Sequence, residues 1–568
     1  MSYAAQDQRP PLKGTSVAAV LGSLTGLWCL TLWLVPPQGE FPLNDDWIYA
    51  RAVQHWMETG HYTGHPFSTA NLVGQVAWGR LFCTALGFSF TALRWSTLVL
   101  WLVAAWAVAA SALTLRARPF AAALAGGLVI ANPLAMNLGY TFMTDVPFMA
   151  AMALAGFCYL RALADPRASW LLAGSLFGAW GLLVRQFAVL LPLAVVLAFL
   201  PLAARMGPRK AWRLFPPFAA PWLAAGLLLQ FLPSYAEALG HTWDPHVLGR
   251  TAVERLLGGL KFYGLSMACL ALFCAPIAPA PAWRWLRYAL GSWRRRAAAV
   301  AVIYGVLLLL VCWSEPRRIP YLGNLLYDTG VGPMTLKGIF MGSYLWRPVT
   351  VGGWWWIPTL LGLLGAAWMV AAAIRWLVLI PGDGRRPVGD ARRRQQFFLM
   401  FWAVFMIVAL YHPWLPVRFD RYFLGALPPV LVLAAMAPGG RGRILSGVQA
   451  VAFVALFTFS VLGLQDYMAW NTARWDVVNR LMEEDGIPPT EIDGGYEFNG
   501  WHTSPLFIEK DGPRAFLHSG ELGWWAVEDT WAVSWLPRPG FETVREVPYD
   551  SWLAGEKGKL LLLKKRPE

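Results

Sequence analysis

The sequence predicts a polytopic α-helical membrane protein with about thirteen transmembrane helices and a small extracytoplasmic α+β domain at its C-terminus. Of its 568 residues, 57% are hydrophobic and 14% are charged, whereas about 25% are charged in an ordinary soluble domain. The apolar residues form runs long enough to cross a bilayer, which takes about 20 residues per helix. These runs stop near residue 465, where a polar, turn-rich segment begins. Composition therefore excludes a string of soluble domains and a disordered chain.

Apolar length places the individual spans, beginning with 16–35, which we interpret as a retained span because no small-residue cleavage site follows it. A polar first outer loop, 36–93, comes next. Its segment 72–92 is either an additional span or a helix lying at the membrane interface. The other predicted spans are 94–114, 120–138, 146–163, 169–184, 187–204, 213–232, 259–279, 298–313, 353–380, 397–411, 422–437 and 444–464.

Charge predicts the orientation of the chain. The formal net charge is +14. If the N-terminus is cytoplasmic, the basic residues cluster in the cytoplasmic loops, as is typical of membrane proteins. The same topology places all eight histidines and almost every carboxylate on the extracytoplasmic side. We therefore expect a multi-pass protein of the cell membrane with its titratable chemistry outside. The basic clusters suit anionic lipid and not nucleic acid, because no basic stripe alternates with aromatic residues on a soluble module.

The chain is predicted to form two domains. Residues 1–464 make up the transmembrane domain, and residues 465–568 make up the extracytoplasmic C-terminal domain. The second domain begins with the helical pattern TARWDVVNRLMEEDG and continues with short β-type runs such as GKLLLLKK.

The first candidate site consists of Asp45 and Asp46 in the first outer loop. Apolar residues follow at helical spacing as far as Gly60, which predicts an amphipathic helix on the outer membrane surface. One acid can cap this helix. Because neighbouring helix residues point about 100° apart, the other acid can face a cavity. At least one of the two is therefore expected to be functional.

Two further candidates lie at outer turns between spans. Asp145 precedes Pro147 at the start of a span and either caps that helix or lines a cavity as a functional carboxylate. Arg185 interrupts the apolar sequence LLVRQFAVLLP. An arginine that faces lipid is costly, so Arg185 should face a partner, which is either an anionic ligand or a structural acid.

The fourth candidate is Arg418, Arg421 and Tyr422 at the start of a late span. The planar guanidinium fork of arginine suits phosphate oxygens. Two arginines at an outer helix end can therefore hold a lipid phosphate. An ion pair between Asp420 and either arginine is the alternative.

Metal binding has weaker support in the sequence. His241, Asp244 and His246 have a spacing that suits a metal, but such a cluster in a solvated loop is more often only polar. The motifs GxxxxGK[ST], HExxH, GxSxG and DxD do not occur. No cofactor is therefore expected to be obligatory, and a divalent metal is kept as an option.

Taken in order, these features resemble the GT-C membrane glycosyltransferases. The shared features are an inside N-terminus, an acidic first-loop motif, a second Asp at the next outer turn, an RY pair near a late span and an outer C-terminal domain. Within that superfamily the chain looks like the bacterial members related to protein O-mannosyltransferases and lipid A aminoarabinose transferases. The resemblance covers roughly residues 16–440, in the segments NDDWIYARAVQHWMETG, LVGQVAWGRLF, FTALRWSTLVL, TDVPF, LVRQ and RYFLGALP.

The resemblance implies a sugar donor on a polyprenyl phosphate in the outer leaflet and an acceptor hydroxyl on a lipid, glycan or protein. It implies that Asp45 or Asp46 is the general base, and that Asp145 is a second acid that orients the acceptor or the loop. By the same resemblance, Arg421, together with Arg185, binds the phosphate and stabilises the charge on the leaving group.

A polytopic lipid or glycan transporter or flippase is the main alternative. Transporters tend to show internal repeats and helices broken at matching positions of two halves, and neither is visible in the sequence. A ligase that moves a preassembled lipid-linked glycan is a third option. The large outer first loop and the outer C-terminal domain favour the transferase.

Overall fold

The protein is mainly helical and ends in a small sheet. The computed structural model describes residues 14–68, 70–232, 251–277, 324–327, 330–337, 357–367, 391–410, 419–436, 443–516, 520–553 and 556–567, with isolated positions at 299–310 and at 369. The helices of the first half are α1 (Gly14–Leu34), α2 (Asp46–Thr59), α3 (Val73–Leu86), α4 (Phe90–Thr114), α5 (Pro119–Ile130), α6 (Pro133–Gly139), α7 (Asp145–Ala164), α8 (Ala168–Val184), α9 (Leu190–Met206), α10 (Pro208–Gln230) and α11 (Ala252–Phe273).

The second half adds shorter helices, one very long helix and all of the strands. The helices are α12 (Ile357–Ala367), α13 (Ala391–Leu410), α14 (Leu427–Met436), α15 (Arg443–Glu483), α16 (Tyr496–His502) and α17 (Ser504–Asp511). Single 3-10 turns cover Gln186–Val189, Asp420–Gly425, Pro489–Glu491 and Gly512–Phe516. The strands are β1 (Leu326–Tyr327), β2 (Gly330–Val331), β3 (Ile492–Asp493), β4 (Trp531–Ser534), β5 (Phe541–Ser551) and β6 (Glu556–Lys565).

The helices confirm a multi-pass membrane protein. Within the described residues, six helices are long and apolar enough to cross a bilayer, or seven if a bent pair is one span, and three shorter apolar helices accompany them. The predicted spans 298–313 and 353–380 lie only partly within the described residues. The predicted number of thirteen spans therefore stays a prediction.

The predicted span 120–138 is broken in two. Helices α5 and α6 meet at an angle of 58°. The break follows from the sequence at the joint, where Oδ1 of Asn132 accepts the N–H groups of Leu134 and Ala135 and Pro133 opens the new helix. An Asn cap followed by proline starts a helix and cannot continue the one before it.

The first-loop helices do not behave as free surface helices. Helix α3 has 14 residues, which is short of the roughly 20 residues that a span needs. Helix α2 buries Trp47 completely, against the rings of Trp525 and Tyr496 at 5.3 and 6.1 Å. Protein, rather than the membrane surface we expected, therefore covers this part of the apolar face of α2.

Helix α15 runs without interruption through residue 464, where we placed the domain boundary. It has 41 residues, and residues 464–483 contain no glycine or proline that would stop it. The helix ends before Gly486, whose φ of +66° suits a residue without a side chain. The transmembrane and C-terminal parts are thus joined by a continuous helix.

The C-terminal domain contains a four-stranded sheet with the order β3-β4-β6-β5. Strand β3 pairs parallel with β4, and the other two pairings are antiparallel. Strand β6 includes the run GKLLLLKK, as the sequence predicted. A small α+β C-terminal domain is therefore confirmed.

A buried charge cluster fastens the domain to the segment that follows β2. Oδ2 of Asp493 lies 3.1 Å from Nζ of Lys337 and 3.1 Å from Nη1 of Arg538. Burial alone would raise the pKa of Asp493, but the two cations outweigh it and lower this pKa to about 2. The carboxylate is therefore ionised, and it links residues that are far apart in sequence.

Candidate active site

Asp46 holds the turn that precedes α2. Its Oδ1 accepts the backbone N–H of Leu43 at 2.6 Å, and its Oδ2 accepts the backbone N–H of Phe142 at 3.3 Å. Asp46 is only 3% exposed, and burial raises the pKa of its carboxyl group. Both oxygens are committed to backbone groups, so the geometry gives Asp46 a role in shaping the turn.

Asp45 occupies the cap position of α2, yet its side chain makes no capping hydrogen bond. Its Oδ1 instead accepts the hydroxyl hydrogen of Tyr496 at 2.7 Å, and its Oδ2 lies 3.5 Å from Nη2 of Arg421. A distance of 3.5 Å is too long for a strong hydrogen bond, so this attraction is mainly between charges. The Asp45 side chain is 22% exposed. Of the two first-loop acids, Asp45 is the one that a ligand can reach.

Asp145 and Arg185 form an ion pair. Nη1 of Arg185 donates to Oδ1 of Asp145 at 2.6 Å, and the Asp145 side chain is fully buried. Thr144 stands at the cap position of α7, so the predicted cap role of Asp145 is not observed. Of the two partners predicted for Arg185, the structure shows the acid.

The break between α8 and α9 positions Arg185. Helix α8 ends at Val184, Arg185 is extended with φ −146° and ψ 134°, and a 3-10 turn follows at Gln186–Val189. The break turns the arginine out of the helical register. The side chain can therefore reach Asp145 at the start of α7.

Arg421 reaches the same group of acids from the 3-10 turn before α14. Its side chain is 8% exposed. Burial opposes its charge, but Asp145 and Asp45 outweigh burial and raise the pKa of Arg421 above its ordinary value. Within the described part of the chain, its Nε and Nη1 atoms find no hydrogen-bond partner. A buried arginine with two unused donors is suited to an anion, because unsatisfied buried donors are rare in folded proteins.

Among the described residues, Asp420 binds backbone N–H groups, and its predicted alternative pairing with Arg418 lies outside them. Its Oδ2 accepts the N–H groups of Leu325 and Leu326 at 3.0 and 2.7 Å, and its Oδ1 accepts the N–H of Arg421 at 2.7 Å. Burial raises the pKa of Asp420 to about 6, although these hydrogen bonds act in the opposite direction. Asp420 therefore fixes the turn to the segment before β1.

Of the two remaining candidates for the phosphate site, the structure describes Tyr422 and does not describe Arg418. The ring of Tyr422 packs beside the guanidinium of Arg185, 5.6 Å from ring centre to Cζ, and beside the ring of Phe187. Arg418 lies outside the described residues. The structure thus brings Asp45, Asp145, Arg185, Arg421 and Tyr422 together at one end of the helices.

Sequence reasoning missed two tyrosines of the site. Tyr49 lies four residues after Asp45 and thus on the same face of the helix. Burial, reinforced by the charge of Asp45, raises the pKa of Tyr49. That spacing was a usable signal. Tyr496 belongs to the C-terminal domain, and no local pattern connects it to the first loop.

The described residues contain no group of three His, Cys, Asp or Glu side chains that could hold a metal ion. The predicted candidate at His241, Asp244 and His246 lies outside the described residues. What the described site offers is one accessible carboxylate, a second acid bound to an arginine, and an arginine with free donors. This set can accept a proton and stabilise an anion.

A partly buried histidine lies next to the site. Nδ1 of His65 accepts the N–H of Phe67 at 3.2 Å, and its ring contacts those of Trp47 and Phe67. Burial, reinforced by the charge of Arg51, lowers the pKa of His65 to about 3. The same two causes lower the pKa of His502 to about 4.

Acidification is therefore expected to destabilise the protein. Unfolded histidine binds its proton near pH 6.5, whereas folded His65 stays neutral almost to pH 3. The contribution of His65 to stability is fully present above pH 6.5 and is lost as the pH falls towards 3. Between pH 7 and 5 we expect a loss of about 2 kcal/mol from this residue, measurable as a falling thermal midpoint of the detergent-solubilised protein.

His65→Asn is the matched variant for this prediction. Asparagine can accept the N–H of the residue two positions ahead, as Nδ1 of His65 does, and it does not titrate. The variant should keep the part of the pH dependence due to His502 and lose the part due to His65. An unchanged pH dependence in His65→Asn would contradict the assignment.

A family model matches part of the chain. The family model for dolichyl-phosphate-mannose-protein mannosyltransferases matches residues 75–233. This match confirms the predicted resemblance to the GT-C superfamily of membrane glycosyltransferases. Within that superfamily, the match is to the branch of the protein O-mannosyltransferases.

Comparison with solved structures gave matches of low similarity. ArnT from Cupriavidus metallidurans bound to undecaprenyl phosphate is similar with 13% identity and a TM-score of 0.39, over 97% of this chain and 99% of that one. AglB from Archaeoglobus fulgidus, in complex with an inhibitory peptide and a dolichol-phosphate, has 12% identity and a TM-score of 0.42. This match covers 81% of this chain and 58% of that one. EmbB from Mycobacterium smegmatis has 14% identity and a TM-score of 0.36, over 83% of this chain and 44% of that one. The comparison with curated proteins gave no match.

Proposed function

We propose that the protein is a membrane glycosyltransferase that moves a hexose or pentose from a polyprenyl-phosphate donor to an acceptor hydroxyl. One observation carries the proposal. The accessible carboxylate of Asp45 lies 3.5 Å from the guanidinium of Arg421, so a group that can take a proton adjoins a group that can hold a phosphate. The family model, which describes enzymes that use a dolichyl-phosphate sugar, supports the same donor class.

Asp45 is the general base in this proposal. Asp46 satisfies two backbone N–H groups and is nearly inaccessible. Asp45 has one oxygen bound by Tyr496 and the other beside Arg421. A general base must come within hydrogen-bond reach of the proton that it removes, and of the two acids only Asp45 is open to an acceptor.

The reaction balances with the groups present. The acceptor oxygen forms a bond to the anomeric carbon of the donor sugar, and its proton passes to the Asp45 carboxylate. The bond between the anomeric carbon and the phosphate oxygen breaks. The polyprenyl phosphate leaves with one additional negative charge, which Arg421 stabilises.

Arg185 and Asp145 support Arg421. Asp145 binds Arg185 directly at 2.6 Å and attracts Arg421. Its Oδ2 is buried and has no hydrogen-bond partner within the described residues. Asp145 therefore keeps two arginines close together, and the pair can share the charge of the leaving phosphate. Tyr422 packs against Arg185. On its sequence position alone, Arg418 is proposed as a further phosphate ligand.

The proposed setting is the extracytoplasmic face of the cell membrane. The basic loops support a cytoplasmic N-terminus, and the site lies on the same side as the C-terminal domain, since Tyr496 contacts Asp45. The acceptor is a hydroxyl of a lipid, glycan or protein. A metal is not needed for the proposed step, because a carboxylate and arginines provide both the proton transfer and the charge stabilisation.

Mass spectrometry of co-purified lipid tests the donor class. The wild-type protein should retain polyprenyl phosphate or its glycosylated form, and Arg421→Ala should lose it. Arg545→Ala is the matched control, because Arg545 is exposed on strand β5 of the C-terminal domain. The control should retain as much lipid as the wild type.

The outcomes separate the function classes. Lipid lost in Arg421→Ala and retained in Arg545→Ala supports the phosphate role, and the retained headgroup identifies the sugar. If the wild type binds no polyprenyl phosphate even when the lipid is added in excess, the transferase has no donor. A protein that binds the lipid and carries it across vesicles without moving a sugar would instead be a flippase.

A further inference from the structure

We propose that Tyr496 of the C-terminal domain is a positioning residue for Asp45, which fixes the carboxylate so that the oxygen beside Arg421 faces the reacting groups. This inference rests on the proposed function. It assigns a role in transfer to a domain that lies after the transmembrane helices in the chain.

The contact between Tyr496 and Asp45 gives the two carboxylate oxygens different environments. The Tyr496 hydroxyl donates to Oδ1 at 2.7 Å, and Arg421 lies 3.5 Å from Oδ2. A carboxylate that accepts a hydrogen bond at one oxygen and is attracted by a cation at the other cannot rotate freely. Burial, together with the charge of Asp45, raises the pKa of Tyr496, so the phenol keeps its proton and remains a donor.

The residue after Tyr496 fixes the backbone next to Asp45. Oε1 of Glu497 accepts the N–H of Asn44 at 2.8 Å. Asn44 has φ +59°, a left-handed conformation that asparagine tolerates better than most residues. Adjacent residues of the C-terminal domain thus hold adjacent residues of the first loop, one through the side chain and one through the backbone.

Tyr496 is itself held in place. Its N–H donates to the carbonyl of Thr335 at 2.8 Å, and its ring contacts those of Trp47 and Trp525. The preceding Gly495 has φ +92°, and a Cβ at that position would clash with the Thr335 carbonyl oxygen. The hydroxyl therefore reaches Asp45 from a defined backbone. A second layer of this kind is what orients a catalytic group.

Tyr496→Phe removes only the hydroxyl and keeps the ring packing. We expect kcat to fall about 10- to 100-fold, because a hydrogen bond to a charged group is lost. The KM for the donor lipid should stay within about twofold, since the arginines are unchanged. The acid limb of the pH–rate profile should move to higher pH, because the lost bond favoured the ionised carboxylate. Within the described residues, the charged or titratable groups near Asp45 include Tyr49, Asp145, Arg185, Arg421 and Glu497 as well as the adjacent Asp46.

Tyr467→Phe is the matched control. The Tyr467 hydroxyl is buried in α15 and has no hydrogen-bond partner within the described residues. Removing it should leave kcat, KM and the pH profile unchanged. All three proteins are assayed with a panel of polyprenyl-phosphate hexoses and pentoses, and their thermal midpoints are recorded in parallel.

The results distinguish this inference from the proposed function. A lower kcat with an unchanged KM and a shifted acid limb in Tyr496→Phe alone supports the positioning role. If the wild type transfers sugar and Tyr496→Phe behaves like Tyr467→Phe, the positioning role is overturned and the proposed function stands. A lower kcat that comes with a lower thermal midpoint and an unshifted acid limb shows only a structural role and also overturns it. A wild type inactive with the entire panel overturns both.

Discussion

Replacing Asp45 by asparagine is expected to reduce the rate of sugar transfer by about 10²- to 10⁴-fold, the usual contribution of a general base. The amide has nearly the same shape as the carboxylate and cannot take the proton of the acceptor. The fold should survive, because the Asp45 side chain is partly exposed and makes no capping bond. The measurement is sugar transfer from polyprenyl-phosphate donors, together with the thermal midpoint.

The neighbouring acid provides the control. Asp46→Asn should act mainly on stability, since the amide nitrogen cannot accept one of the two backbone N–H groups that Asp46 binds. The two variants should therefore differ in effect. Asp45→Asn should lose transfer activity, and Asp46→Asn should have a lower thermal midpoint. Full transfer activity in Asp45→Asn would rule out Asp45 as the base.

Breaking the ion pair between Arg474 and Glu497 is expected to have the largest effect on stability. Nη1 of Arg474 donates to Oε2 of Glu497 at 2.8 Å, and both side chains are completely buried. Glu497→Gln leaves the arginine without its counter-charge inside the protein. Removal of one partner of a buried pair typically costs about 3–5 kcal/mol. Unfolding of the solubilised protein, followed by tryptophan fluorescence, measures the loss.

Glu546→Gln is the matched control in the same domain. The bond between Glu546 and Lys559 is 2.6 Å long, but both side chains are 59% exposed. Exposed pairs contribute about 0–1 kcal/mol, so this variant should unfold almost like the wild type. Equal losses of unfolding free energy in Glu497→Gln and Glu546→Gln would show that burial does not set the strength of the ion pair between Arg474 and Glu497.

The sequence predicted most of the helices well because apolar length is a local property. The span predicted at 146–163 is Asp145–Ala164, and the span predicted at 169–184 is Ala168–Val184. The break at Asn132 and Pro133 was harder to predict, because the apolar character continues across it. The uninterrupted helix Arg443–Glu483 was also missed, since polarity changes near 465 while the helix does not.

The clustering of the candidate residues could be predicted only in part. A charged residue at the end of an apolar run stands out, which is why Asp145, Arg185 and Arg421 were all identified. Their mutual contacts and their closeness to Asp45 required the structure. Their chemical roles remain predictions.

The choice between the two first-loop acids depended on distant contacts. Asp46 is occupied by Phe142, which is 96 residues away, and Asp45 by Tyr496, which is 451 residues away. Local patterns contain no information about such partners. The resemblance to a family could indicate the pair of acids but not which of them faces the site.

The 41-residue helix Arg443–Glu483 has a consequence for the lipid dependence of the protein. At 1.5 Å per residue it is about 60 Å long, roughly twice the hydrocarbon thickness of a bilayer. One half can lie among acyl chains while the other half extends towards the sheet domain. Helices respond to a thinner or thicker bilayer by tilting, and a tilt at one end of a stiff rod displaces the other end. Transfer rates should therefore differ between short- and long-chain vesicles.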